Sequence, residues 1–113
     1  MSEMNPFGGR VVHLSPAEVK AGMADGTILL VDVREPNETT AERIPGSVLA
    51  PLQSFDPAAL PDPAGRRLVF SCRSGQRSQK ALSLAQAAGL DYEEHMAGGI
   101  LGWKDAGFAT EAG

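Results

Sequence analysis

Hydrophobic residues form two short unbroken runs, ILLV at residues 28–31 and LVF at residues 68–70. Successive side chains of a strand point to opposite faces, so a run without polar residues predicts a strand buried on both faces, as in a parallel sheet. Asp32 follows the first run, and Ser71 and Cys72 follow the second. Shorter apolar segments predict three further strands, at 11–13, at 47–50 and within 90–96.

The segments between these strands have features of helices. Ser15 as a cap, Pro16 at the first helical position and Glu18 as the partner in a capping box predict a helix that runs to about residue 24. Apolar residues at 81, 84, 85 and 88 follow helical spacing, which predicts a helix over 78–88 that stops before Gly89. Shorter helices are predicted at 36–41 and 100–106, and a loop with at most one helical turn at 55–65.

Strands that alternate with helices predict an α/β fold: one domain with a mostly parallel central sheet of about five strands, flanked by helices on both faces. A length of 113 residues fits a single domain. Residues 1–10 lack periodicity, so we expect a flexible N-terminus at 1–10 followed by the domain at 11–110.

Charge is unevenly distributed along the chain. The net charge of −4 argues against general binding to nucleic acid. Residues 66–80 nevertheless carry five of the ten basic residues and no Asp or Glu, and this local positive charge would attract small anions or an acidic partner. The chain has no apolar run near the roughly 20 residues that span a bilayer, and its start lacks a secretion signal pattern. We therefore expect a cytoplasmic protein without membrane contact.

The one cysteine, Cys72, lies in the sequence SCRSGQRS at 71–78, and a single cysteine excludes an internal disulfide. It follows a buried strand at the carboxyl end, where open α/β sheets bind ligands. Gly75 allows the connecting turn to curl and point backbone N–H groups inward, and the next helix adds its positive end. With Arg73 and Arg77 beside it, Cys72 is predicted to be a nucleophilic thiolate. A small buried core residue is the alternative that a lone cysteine leaves open.

Three segments together make the chain resemble the rhodanese-like domain family, and within it the single-domain sulfurtransferases. They are LVDVREP at 30–36 with IPGS at 44–47, CRSGQRS at 72–78, and GGI at 98–100 followed by Trp103 and Gly107. The resemblance extends from about residue 14 to residue 108.

This resemblance implies a sulfur-transfer reaction without a metal or organic cofactor. Cys72 would take sulfur from a small anionic donor, thiosulfate or a persulfide, and pass it as a persulfide to a thiol or cyanide. A protein that donates or accepts sulfur is a further option. The substrate-binding loop would consist of Arg73, Ser74, Gly75, Gln76, Arg77 and Ser78.

Two alternatives stay open beside this interpretation. The first is a persulfide carrier with little turnover of small molecules, since two-domain thiosulfate sulfurtransferases tend to have a cationic residue where this chain has Ser74. The second is an arsenate reductase or phosphatase of the same fold. Those relatives have five residues between the cysteine and the arginine, whereas four residues, 73–76, separate Cys72 from Arg77 here. By the family rule, the shorter loop suits sulfur.

Asp32 and Arg34 match the family's Asp-x-Arg motif and are candidates for supporting the loop. They would either orient it or pair with each other, and we favour a structural pairing. His13 and His95 have no spacing to cysteine or carboxylate that indicates a metal site. We expect each to be a hydrogen-bonded or solvated histidine.

Overall fold

A computed structural model describes residues 2–113. It contains six strands, two short 3-10 turns and four α-helices in one mixed fold. The strands are β1 Glu3–Met4, β2 Arg10–Leu14, β3 Ile28–Asp32, β4 Val48–Leu49, β5 Arg67–Ser71 and β6 Glu94–Met96. The helices are α1 Pro16–Ala24, α2 Pro36–Ala41, α3 Gln76–Ala87 and α4 Gly99–Asp105, and the 3-10 turns are Leu52–Ser54 and Pro57–Ala59.

The strands form one sheet in the order β1-β2-β6-β5-β3-β4. Only β1 is antiparallel to its neighbour, while the other pairs are parallel. The predicted α/β fold with a mostly parallel sheet is therefore confirmed. The sheet has six strands rather than about five because Glu3 and Met4, which lack any hydrophobic pattern, pair with Val11 and Arg10.

Helices cover both faces of the sheet, and each face has its own core. Alternate residues of the central strands point to opposite sides, so Val31 and Phe70 belong to one core and Leu30 and Val69 to the other. The first core is closed by α3 through Ala81, Leu82 and Ala85, and the second by α1 and α4 through Val19, Ile100 and Trp103.

Local signals explain most helix boundaries. The predicted capping box between Ser15 and Glu18 is present at the start of α1. In contrast, α3 begins at Gln76 and not at residue 78, because Gly75 adopts φ +108° and acts as the N-cap. Only residues 73–75 therefore link Cys72 to the helix. Within residues 2–113, none of the helices is long and apolar enough to span a membrane.

Candidate active site

Cys72 lies directly after β5, and its side chain is part of the core beneath α3, with 1% of the residue exposed. The Gly75 N–H donates to the Cys72 Sγ at 3.1 Å, and the Ser78 Oγ lies 3.5 Å from the same sulfur. The sulfur is therefore buried, as for a core cysteine, and also has polar partners from the first turn of α3. The burial agrees with a core cysteine, while the nucleophilic role of Cys72 stays a prediction.

The loop curls because α4 holds its carbonyl groups. The N–H of Ile100 donates to the Cys72 carbonyl at 2.9 Å, and the N–H of Leu101 donates to the Arg73 carbonyl at 3.1 Å. This approach requires glycine at position 99, because a Cβ there would overlap the Cys72 carbonyl oxygen. With two carbonyls turned towards α4, the Gly75 amide is left to face the sulfur.

Arg77 forms an ion pair with Glu38, and its predicted role in attracting anions stays a prediction. Its guanidinium makes two hydrogen bonds to the Glu38 carboxylate, at 2.6 and 2.8 Å. These bonds raise the pKa of Arg77 and lower the pKa of Glu38 to about 2. Part of the positive charge predicted for the loop is therefore neutralised by α2.

The other loop residues are placed differently from one another. Ser78 is fully buried and contacts the sulfur, whereas three residues are exposed at the surface of the turn: Arg73, Ser74 and Gln76. The structure thus brings Cys72, Gly75 and Ser78 together, and a role of the three exposed residues in binding substrate stays a prediction.

Asp32 and Arg34 form a buried ion pair with each other, the arrangement that the sequence analysis favoured. The Arg34 Nη2 lies 2.8 Å from the Asp32 Oδ2 and also donates to the Glu42 carbonyl at 2.9 Å. Asp32 is paired with Ser71 across β3 and β5, next to Cys72. The pair therefore joins the strand ends at the site to the segment after α2, and any role in catalysis stays a prediction.

His95 is hydrogen-bonded, as expected, and its partners connect it to the cysteine, which no local sequence signal indicates. Its Nδ1 lies 2.7 Å from the Ser78 Oγ, and its Nε2 lies 2.7 Å from the His13 Nδ1. Burial, and to a lesser extent the charge of His13, lowers the pKa of His95 to about 4, so the ring is neutral at neutral pH. Within residues 2–113, no three His, Cys, Asp or Glu side chains cluster as a metal site.

The sequence matches a family model described as the Rhodanese-like domain over residues 15–106. The chain is 36% identical to protein slr1261 of Synechocystis over 88% of its own length, and 34% identical over 78% to a mouse protein named thiosulfate sulfurtransferase/rhodanese-like domain-containing protein 3. It spans only 55% and 63% of the lengths of those two relatives. The yeast thiosulfate:glutathione sulfurtransferase is 30% identical, with 76% of this chain and 71% of that protein covered.

A solved structure from Rhodopseudomonas palustris, described as a protein of unknown function and possible tyrosine phosphatase, is similar in fold with a TM-score of 0.73. The two sequences are 30% identical, and the match covers 89% of this chain and 85% of the other.

Proposed function

The chain belongs to the rhodanese-like domain family, and from this premise we propose that it is a single-domain sulfurtransferase in which Cys72 carries sulfur as a persulfide. The donor is a small anion such as thiosulfate, and the acceptor is a thiol or cyanide. The observation that carries the proposal is the Gly75 N–H directed at the Cys72 Sγ at the start of a 12-residue helix. The relatives named for sulfur transfer from thiosulfate support the same substrate class.

The reaction has two displacement steps. The Cys72 thiolate attacks the outer sulfur of thiosulfate, the sulfur–sulfur bond of the donor breaks, and sulfite leaves with the bonding electrons. An acceptor thiolate or cyanide then attacks the outer sulfur of the persulfide, and Cys72 leaves as a thiolate. Negative charge stays on sulfur throughout. The Gly75 N–H and the positive end of α3 are oriented to stabilise it without rearrangement.

Burial of Cys72 also affects which sulfur of the persulfide an acceptor can reach. The sulfur–sulfur bond places the outer sulfur about 2 Å beyond the Cys72 Sγ. In this proposal the outer sulfur lies towards the exposed residues of the turn, so that an acceptor meets it before the buried sulfur. A cytoplasmic location fits this proposal, because a reducing compartment keeps a lone thiol available.

A persulfide carrier would use the same chemistry, but its sulfur donor or acceptor would be a protein. The exposed Ser74 offers no charge to hold free thiosulfate, which favours this version for the physiological donor. A persulfide-bearing protein that loads Cys72 much faster than thiosulfate does would identify the carrier.

A phosphatase is the second candidate, because the R. palustris structure is described as a possible tyrosine phosphatase. A phosphatase of this fold needs an arginine guanidinium that is free to bind the phosphate group of the substrate. In this chain both terminal nitrogens of Arg77 bind Glu38, so the site favours sulfur transfer. Phosphoester hydrolysis that depends on Cys72 would reverse this preference.

The test is the intact mass of the purified protein after incubation with thiosulfate and no acceptor, compared with a Cys72→Ser variant. We expect the wild-type protein alone to gain one sulfur atom, and to lose it again when cyanide is added. A wild-type protein that gains no sulfur from thiosulfate or from a protein persulfide would contradict the proposal.

A further inference from the structure

A chain of hydrogen-bonding groups connects the buried cysteine to the surface. The Cys72 Sγ lies 3.5 Å from the Ser78 Oγ, the Ser78 Oγ lies 2.7 Å from the His95 Nδ1, and the His95 Nε2 lies 2.7 Å from the His13 Nδ1. Cys72, Ser78 and His95 are each no more than 1% exposed, whereas the His13 side chain is 36% exposed. This series of hydrogen-bonding groups therefore begins at a buried thiol and ends at an imidazole ring that is exposed to water.

The positions of these groups depend on four different elements. Cys72 follows β5 and Ser78 lies in the first turn of α3. His95 on β6 is paired in register with His13 on the neighbouring β2, so the two rings lie side by side with their centroids 4.7 Å apart. The register between β2 and β6 thus fixes the two histidines side by side, and the first turn of α3 places Ser78 between His95 and Cys72.

Counting protons gives each link a donor. When Cys72 is a thiol, its S–H donates to the Ser78 Oγ, and the Ser78 O–H donates to the His95 Nδ1. The His95 Nε2–H then donates to the His13 Nδ1, which leaves the His13 Nε2–H to face water and Glu3, whose Oε2 lies 3.8 Å away. Each neutral imidazole has one donor and one acceptor, so every link is satisfied.

We propose that Ser78, His95 and His13 form a proton relay that carries the proton of the Cys72 thiol to the surface and back. The S–H bond breaks as the proton moves to the Ser78 Oγ, and the serine proton moves to the His95 Nδ1. The His95 Nε2 proton moves to the His13 Nδ1, and the His13 Nε2 proton leaves to water. Ser78 and both rings end neutral, the thiolate remains, and the Ser78 O–H now donates to it.

This relay rests on the proposed function, since it supplies the thiolate that attacks the sulfur donor. It assigns proton-transfer roles to Ser78 of the predicted substrate-binding loop and to His95 and His13 outside it. The depressed pKa of His95 agrees with a ring that exchanges tautomers and stays uncharged. Four charged groups lie near these residues: Glu3 of β1 beside His13, Arg73 directly after Cys72, Arg77 of α3 and Asp32 of β3. Arg77 is paired with Glu38 and Asp32 with Arg34, each with a partner of opposite charge.

The relay predicts that ionisation of Cys72 reverses the tautomer of His95. The test uses ¹⁵N-histidine-labelled protein at about pH 9, above the ordinary pKa of a cysteine thiol, with no sulfur donor or acceptor. We expect His95 to carry its proton on Nδ1 in the wild-type protein and on Nε2 in Cys72→Ser, whose hydroxyl stays protonated. The same tautomer in both proteins would overturn the relay.

A second pair of variants separates a relay from the simple charge of the thiolate. Ser78→Ala removes the link between Cys72 and His95, so the His95 tautomer should no longer differ with and without Cys72→Ser. Ser83→Ala is the matched control on the same helix, because the Ser83 hydroxyl binds the Phe7 carbonyl and should leave the switch intact. A tautomer switch that survives Ser78→Ala would show an effect of charge alone and overturn the proposal. Because these measurements involve no sulfur transfer, their failure is distinguishable from failure of the persulfide test.

Discussion

The pairing of Arg77 with Glu38 sets how much positive charge the cysteine loop presents to an anionic donor. Glu38→Gln removes the opposing charge but keeps the side-chain oxygen that accepts from the Glu35 N–H at the start of α2. The freed charge of Arg77, which is only partly buried, should lower the KM for thiosulfate about two- to fivefold, the range of a partly exposed ion pair. Steady-state kinetics with thiosulfate and cyanide measure this effect.

Glu42→Gln is the matched control, because it removes the same charge from a carboxylate that binds Lys104 and Thr110 instead of the loop. Its KM should stay at the wild-type value. An unchanged or raised KM in Glu38→Gln would mean that Glu38 acts by holding Arg77 in place and not by neutralising it.

The contacts of the site differ in how well the sequence predicts them. The buried strand, Cys72 and Gly75 are neighbours along the chain, so their arrangement follows from local rules. Glu38 lies 39 residues from Arg77, and His13 lies 82 residues from His95. Those contacts depend on how α2 packs and on the register between β2 and β6, and neither leaves a local pattern that could have indicated them.

Among the elements, α4 determines the shape of the turn at residues 72–75, because the first residues of α4 contact the backbone of that turn. Gly99→Ala should cost about 3 kcal/mol in the free energy of unfolding, because the new methyl group overlaps the Cys72 carbonyl oxygen and backbone atoms of Arg73. Displacement of the turn should also slow persulfide formation at least tenfold. Urea unfolding and the rate of mass gain with thiosulfate measure the two effects.

Gly89→Ala separates this clash from the conformational cost of a positive φ. Gly89, just after α3, has φ +90° but nothing lies within 4 Å of the position of a Cβ. This variant should therefore lose only about 1–2 kcal/mol and form the persulfide at the normal rate. Equal losses in the two variants would contradict a special role for the contact between α4 and the turn.

The difference between local signals and long-range contacts also explains which elements the sequence could predict. The Ser15 capping box and the two hydrophobic runs determine α1, β3 and β5 locally, and the structure agrees with each of them. The apolar pattern predicts a start of α3 two residues too late, because it contains no information about the left-handed conformation of Gly75. The strand β1 has two exposed residues and no pattern, so only pairing with β2 defines it.

For the molecule as a whole, the buried His95 links stability to pH. The pKa of His95 is about 4 in the folded protein, whereas an ordinary histidine, as in the unfolded chain, has a pKa of 6.5. Between these two pH values the unfolded chain binds a proton at this residue and the folded protein does not. The free energy of unfolding should therefore decrease as the pH falls from about 6.5 towards 4, and this contribution is fully present above 6.5. From pH 7 to pH 4.5 the loss from this one residue should be about 2 kcal/mol.

Urea unfolding of the wild-type protein and of His95→Gln at both pH values isolates this contribution. The variant starts from a different stability, so the quantity to compare is the change between pH 7 and pH 4.5, which should be smaller in His95→Gln by about 2 kcal/mol. Glu38 scarcely interferes, because its pKa of about 2 makes its stabilising charge disappear only as the pH falls from 4.5 towards 2. His13→Gln keeps the buried ring and should retain most of the wild-type change. If His95→Gln lost as much stability on acidification as the wild-type protein, the pKa of His95 would be the same in the folded and the unfolded protein, and burial would not keep the ring uncharged below pH 6.5.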